Sequence, residues 1–334
     1  MIRTSHYLFA ALCLGSLFAC SRQFTDSYIV PKWCFAVFML FIVLAYEAVN
    51  ILFYRQNEQK DTRISVYGFI IVISCFLQAM FGVVQFFGFF QISTTLWVTG
   101  SFDNPAGFAA CLCAGFPFVG FLLSDSNKYI RYVGGLIGFV IVIAVILSQS
   151  RAGIMSIAFI CFILLNMKFF HKRWVKYLSL LCFALLLSGC YWMKKDSADG
   201  RLLIWRCSVS MVKDAPWLGH GIGSFEARYM DYQADYFRQY GLNRYSMLAD
   251  NVKHPFNEYL GVLLNFGFVG LLMILALITL LIYCYKKHPC AEKRIAFCSL
   301  ISIGVFSFFS YTFTYPFTWI VTFLCIIILT KEYI

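Results

Sequence analysis

Charge is what this sequence has least of: Asp, Glu, Lys and Arg make up 13% of its 334 residues, against about 25% in soluble globular chains. With 61% apolar and 19% aromatic residues beside that scarcity, a soluble fold is excluded and an integral membrane protein is expected. Tandem repeats, low-complexity tracts and an appended soluble domain are missing too, so residues 1–334 are expected to form a single membrane domain. No His, Cys, Asp or Glu residues stand at metal-ligand spacing, and neither a metal nor another cofactor is expected. Charges inside the apolar runs are almost absent, Glu47 being the exception. Long hydrophilic stretches are equally rare, and residues 193–256 form the only one.

Apolar runs near the roughly 20 residues that cross a hydrocarbon core recur along the whole chain, which predicts an all-α helical bundle rather than a barrel of alternating strands. About ten transmembrane helices are expected, near 7–20, 33–53, 65–90, 105–123, 132–148, 152–168, 176–192, 258–284, 295–312 and 315–330. If both termini are cytoplasmic, the inside segments hold fifteen Lys and Arg residues, while the short outside loops hold only Arg22, Lys32 and Arg151. That bias places residues 193–256 outside as a large helical loop, periplasmic if the membrane is the inner membrane of a Gram-negative bacterium. The formal charge of +11 then reflects topology and contact with membrane lipids, and no nucleic-acid partner is expected.

Most of the fourteen cysteines fall inside apolar spans and are expected to be small core hydrophobes. Cys190 and Cys207 flank the start of the loop, either as a pair or as two unrelated membrane-edge thiols. Leu17, Phe18, Ala19 and Cys20 follow Arg3 and an apolar run in the manner of a lipoprotein signal. Phe18 fits poorly where a small residue is needed, so an ordinary first helix is expected.

Within the loop, residues 200–214 (GRLLIWRCSVSMVKD) have helical spacing, and Ala215, Pro216 and the glycines of LGHGIGSF break it. Gly219, Gly221 and Gly223 lack the preceding strand and the last element of a dinucleotide loop, so they are expected to serve a tight turn and close backbone approach. Residues 225–240 are helical again, with Tyr229, Tyr232, Tyr236 and Tyr240 on one face. That stripe suits an interfacial aromatic belt, or, as a sharper alternative, sugar stacking. Pro255 is expected at the first helical position of the eighth span.

A few residues are candidates for chemistry. Arg151, in SQSRAG, either snorkels to headgroups or binds a phosphate through its planar fork. Arg201, Trp205 and Ser208 share a helix face while Arg206 points elsewhere, and that helix could equally lie in the interface with Leu202, Leu203 and Trp205 dipping into lipid. His254 is largely neutral at pH 7 by its ordinary pKa of about 6.5 and can take a proton from a hydroxyl. Pro255, Phe256, Asn257 and Glu258 after it would form a first helical turn that favours an anion. His220 is a second candidate acid or base. Asn104 and Pro105, beside Asp103, form an N-cap and first helical residue.

In order, FDNPAGFAA, SQSRAG, GRLLIW with APWLGHGIGSF, and HPFNEYL leading into NFGFVGLL resemble the O-antigen ligase-like family of polytopic membrane proteins, over residues 100–280. The resemblance implies a metal-independent glycosyltransferase whose donor is an undecaprenyl-diphosphate-linked glycan. Arg151 and Arg201 match arginines that hold the diphosphate, and His254 matches the histidine that activates the acceptor hydroxyl. Arg206, Trp205, His220, Asn257 and Glu258 are expected in support. Two departures stand out: the family usually has about twelve spans, and its His-Asn pair is here split into His254 and Asn257 around a proline that redirects the chain.

The expected reaction is inverting transfer to lipid A core, as in O-antigen ligases. Polymerases and protein O-oligosaccharyltransferases of the same family differ only in acceptor. A transporter or flippase of lipid-linked sugars is the competing class, but it predicts charges near the bilayer midplane. A structural scaffold leaves Arg151 without purpose.

Overall fold

The computed structural model describes residues 2–53, 61–89, 98–169 and 195–331, with scattered positions between 174 and 189. Among the described residues every regular element is helical. The helices are α1 (Ile2–Phe18), α2 (Ile29–Phe53), α3 (Asp61–Phe86), α4 (Pro105–Gly115), α5 (Val119–Leu123), α6 (Lys128–Leu147), α7 (Arg151–Phe169), α8 (Lys195–Asp214), α9 (Ser224–Tyr240), α10 (Glu258–Lys287), α11 (Ala291–Phe309) and α12 (Pro316–Thr330). Helices fall on nine of the ten expected spans. The other, 176–192, and with it Cys190, lies outside the described stretches, as does the side chain of Glu47. Among the described residues five helical stretches are long and apolar enough to cross a membrane, and shorter apolar helices cover Thr4–Phe18, Arg151–Leu164 and Pro316–Thr330. The all-α polytopic membrane fold is therefore as expected.

The chain divides into two compact units. The first joins residues 1–160, 284–304 and 312–334. Here α1 packs on α2 and α3, and α3 packs on α6. Because lipid offers no hydrophobic drive for helices to associate, small residues and hydroxyls hold them together. Ser299 Oγ donates to the Ala114 carbonyl and Ser302 Oγ to the Cys113 carbonyl, both at 2.7 Å. Lys32, expected as an outer-loop cation, is instead fully buried in the first turn of α2. Its ammonium donates to the carbonyls of Ala19 and Ser101 and lies 4.8 Å from the centre of the Phe102 ring. Burial of a long cation needs such partners, and charge counting along a sequence does not reveal them.

The second unit joins residues 161–283 and 305–311 and contains the hydrophilic loop. Its core is Leu203, Ile204, Cys207, Met211, Phe225, Tyr229, Tyr245 and Leu264. α8 and α9 form as expected, with Gly223 (φ 80°) before α9 and Gly241 (φ 66°) after it. One expectation changes. Leu203 is in this core rather than dipping into lipid. The tyrosine stripe is partly taken up within the unit: Tyr229 stacks on Phe225 inside the core, Tyr232 donates to Asp214 at 2.6 Å and Tyr236 meets Arg206, while Tyr240 stays exposed. Helical spacing correctly put these rings on one face, and Tyr232 and Tyr236 of that face meet α8.

Candidate functional site

Trp205 and Arg201 lie one turn apart on α8, and both face the segment around His254. Trp205 Nε1 donates to the Pro255 carbonyl at 3.0 Å and packs edge-on against Phe308. Arg201 donates to the carbonyl of Phe309, at the C-terminal end of α11, and lies 5.1 Å from the centre of the Phe256 ring. The bond to Phe309 satisfies a carbonyl that a helix end leaves without a partner and sets a cation against the negative end of the dipole. Ser208, expected on the same face, is buried and bonds back to the Ile204 carbonyl.

His254 stacks on Tyr311, with ring centres 4.6 Å apart and planes 23° from parallel. Phe256 meets the same tyrosine edge-on at 5.3 Å. The guanidinium of Arg201 and the imidazole of His254 thus flank one pair of rings, Phe256 and Tyr311. Neither nitrogen of His254 hydrogen-bonds to another described residue. Burial holds its pKa below the ordinary histidine value; Glu226 opposes that shift and Lys253 adds to it. The ring is therefore neutral at pH 7 and able to accept a proton.

The chain after His254 departs from expectation. Pro255 is not the first helical residue, because Phe256 takes a left-handed conformation (φ 52°) and α10 begins only at Glu258. Asn257 is buried and caps that helix, its Oδ1 accepting from the Leu260 amide at 3.0 Å. The helix start therefore lies later than the proline suggested, and Asn257 acts on backbone amides, with Glu258 as the first helical residue.

His220 is tied up. Its Nε2 faces the Met211 carbonyl at 2.7 Å and Nδ1 faces Arg228 Nη1 at 3.0 Å. A carbonyl only accepts and a guanidinium only donates, so Nε2 carries the proton and Nδ1 accepts. No nitrogen remains for a substrate. Arg206 is exposed and directed elsewhere, donating to Tyr236 Oη at 3.3 Å, with its guanidinium 5.1 Å from the Tyr245 ring centre.

Arg151 belongs to the first unit. It is half-buried and opens α7 directly after the turn from α6, where the Ser150 hydroxyl accepts from the Gly153 amide. Gln149, two residues earlier, has φ 53°. Gln149 and Phe256 are the only non-glycine residues with positive φ among the described residues. Each lies two positions from a residue singled out by sequence, and such strained backbone concentrates at functional sites. Asn104 caps α4 as expected, accepting from the Gly107 amide at 3.0 Å.

Sequence reasoning missed Tyr311. It lies far along the chain, in FFSYTF, where an aromatic residue in an aromatic-rich run carries no distinguishing mark.

A family model described as O-antigen ligase matches residues 136–275, a stretch that contains Arg151, Arg201, His220 and His254. The O-antigen ligase-like family expected from the motifs is thus supported. No curated protein matches the chain.

Proposed function

We propose that this chain, a membrane glycosyltransferase of the O-antigen ligase type, transfers a glycan from an undecaprenyl-diphosphate carrier to a hydroxyl of lipid A core at the outer face of the bacterial inner membrane. The observation that carries this reading is the convergence of Arg201 and His254 on Phe256 and Tyr311. It supplies a cation for a phosphate beside a neutral imidazole for a hydroxyl.

In the proposed reaction the acceptor oxygen attacks the anomeric carbon of the carrier-linked sugar. The bond from that carbon to the diphosphate oxygen breaks, the anomeric configuration inverts, and the hydroxyl proton passes to His254. Arg201 offsets negative charge growing on the departing diphosphate. For Arg151 a phosphate-binding role rests on the resemblance alone. Trp205 positions the His254–Pro255 backbone through its bond to the Pro255 carbonyl.

The test is transfer by the purified, reconstituted chain from a defined undecaprenyl-diphosphate glycan to lipid A core, with and without a chelator. Turnover that survives chelation and disappears in His254→Ala is expected. Movement of the lipid-linked glycan across the bilayer with no new glycosidic bond would sink the proposal, and loss of turnover in chelator would remove the metal-free mechanism.

A further inference from the structure

The helix that follows the hydrophilic loop is broken. Within α10, Gly267 has φ 61° and ψ −159°, a conformation open essentially to glycine alone. At the break two carbonyls lose their forward amides and two amides lose their backward carbonyls. The glycine-rich loop supplies all four partners. The amides of His220 and Gly221 donate to the carbonyls of Leu264 and Asn265 at 2.7 and 3.1 Å, and the amides of Phe268 and Val269 donate to the carbonyls of Pro216 and Trp217 at 2.8 and 3.2 Å. The fit leaves no room for side chains: a Cβ on Gly267 would stand 2.3 Å from the Trp217 oxygen, and one on Gly219 2.6 Å from the Asn265 backbone.

Beyond the break, α10 is apolar up to its terminal Lys286 and Lys287. From Phe268 to Lys287 the helix rises ~30 Å at ~1.5 Å per residue, which is the thickness of a hydrocarbon core. The lysine pair marks one boundary of that core, so the break lies at the other. The four backbone bonds hold residues 216–221 at the same depth. Trp217, Leu218 and Ile222 are 70%, 74% and 83% exposed there, and the Trp217 ring lies 6.1 Å from that of Phe268, itself exposed on the spanning half of α10.

We propose that residues 216–222 are a membrane-dipping loop, with Trp217, Leu218 and Ile222 seated in the headgroup–acyl boundary of the leaflet opposite Lys286 and Lys287. The partner is lipid, because the apolar patch is continuous with the exposed face of a membrane-spanning helix and an indole favours that boundary. The backbone bonds to the broken helix satisfy polar groups that hydrocarbon would leave without partners. This inference depends on the span of α10 and not on glycosyl transfer.

The test uses the full chain in phosphatidylcholine nanodiscs. The emission lost in Trp217→Phe isolates the Trp217 signal, which is then quenched either by phosphatidylcholine brominated along the acyl chains or by aqueous acrylamide. The expected result is a loss of more than half the Trp217 signal to bromolipid and a smaller loss to acrylamide. Greater quenching by acrylamide would place the loop in water, and protection from both would place a second copy or another protein over it. Either result overturns the proposal. Ile222→Trp provides the converse experiment, a gained emission with the same expected preference, should Trp217→Phe fail to accumulate.

Discussion

His220 lies against the Met211 carbonyl with both ring nitrogens bonded, whereas His254 lies flat on Tyr311 with neither nitrogen bonded to a described residue. Both belong to the same unit and to the same hydrophilic stretch. The difference is in what the protein asks of each. The Nε2–H of His220 satisfies a carbonyl in the last turn of α8, and its proton is held by that bond. The His254 ring is held by its stacking on Tyr311, which fixes its plane and leaves its proton chemistry to a substrate. A histidine in a hydrophilic loop thus becomes a candidate base through the hydrogen bonds it does not make.

Substitution should separate the two most strongly. His254→Ala is expected to lower glycan transfer by about 10²–10⁴-fold, the usual contribution of a general base, with thermal stability close to that of the parent. His220→Ala is expected to keep the chemical step but lose about 1–2 kcal/mol, because the Met211 carbonyl forfeits its donor. Turnover and thermal melting measured on the same reconstituted samples check both. Equal loss of turnover in the two variants would erase the distinction.

The arginines offer the same contrast. Arg201→Gln is expected to cost about 10²–10³ in turnover, the loss typical of one group stabilising transition-state charge. Arg206→Gln, which removes only an exposed contact to Tyr236 and Tyr245, should leave transfer within about threefold, in keeping with the small worth of solvent-exposed interactions. Initial rates at saturating donor distinguish the two.

How far such contrasts can be read from sequence depends on what spacing encodes. Apolar run length located the helices because a bilayer fixes it, and the glycines of LGHGIGSF marked the break between α8 and α9 because positive φ needs them. Spacing also put Arg201 and Trp205 on one face and sent Arg206 away. It could not say what a face meets, so nothing in it showed that Tyr229, Tyr232 and Tyr236 of the tyrosine stripe would meet α8 or the core beside it. The proline rule placed the start of α10 too early because the left-handed conformation of Phe256 has no sequence signature. Tyr311 and the buried Lys32 depend on contacts between distant segments, which no local pattern records. The break at Gly267 did leave a trace, a glycine close after Asn265 in an otherwise apolar run.

The loop that holds His220 is also the one that fills the broken helix, so backbone strain there should affect stability before chemistry. Gly219→Ala and Gly267→Ala each force a side chain into positive φ against backbone atoms. Each is expected to destabilise by at least about 1–3 kcal/mol from strain alone. Gly221, with positive φ but open space around its Cβ position, should lose less on the same substitution. The ranking of melting temperatures among the three variants is the measurement, and a Gly221→Ala loss as large as that of Gly267→Ala would contradict the account of close approach.

The smallest expected effect concerns the electrostatics of His254. A base works in its neutral form, so transfer should fall as pH drops through the folded-state pKa of His254. Burial holds that value below the ordinary ~6.5, and the acid limb should therefore lie on the acid side of the usual histidine range. Glu226 favours the protonated ring and Lys253 disfavours it. Glu226→Gln is thus expected to move the acid limb to still lower pH, and Lys253→Gln to higher pH. Both side chains are largely exposed, and their own 3.9 Å contact is loose, so high salt should shrink both displacements by screening. His220→Ala should leave the limb where it is, since His220 exchanges no proton with substrate. A limb that moved with His220 and ignored Glu226 and Lys253 would transfer the role of base from one histidine to the other.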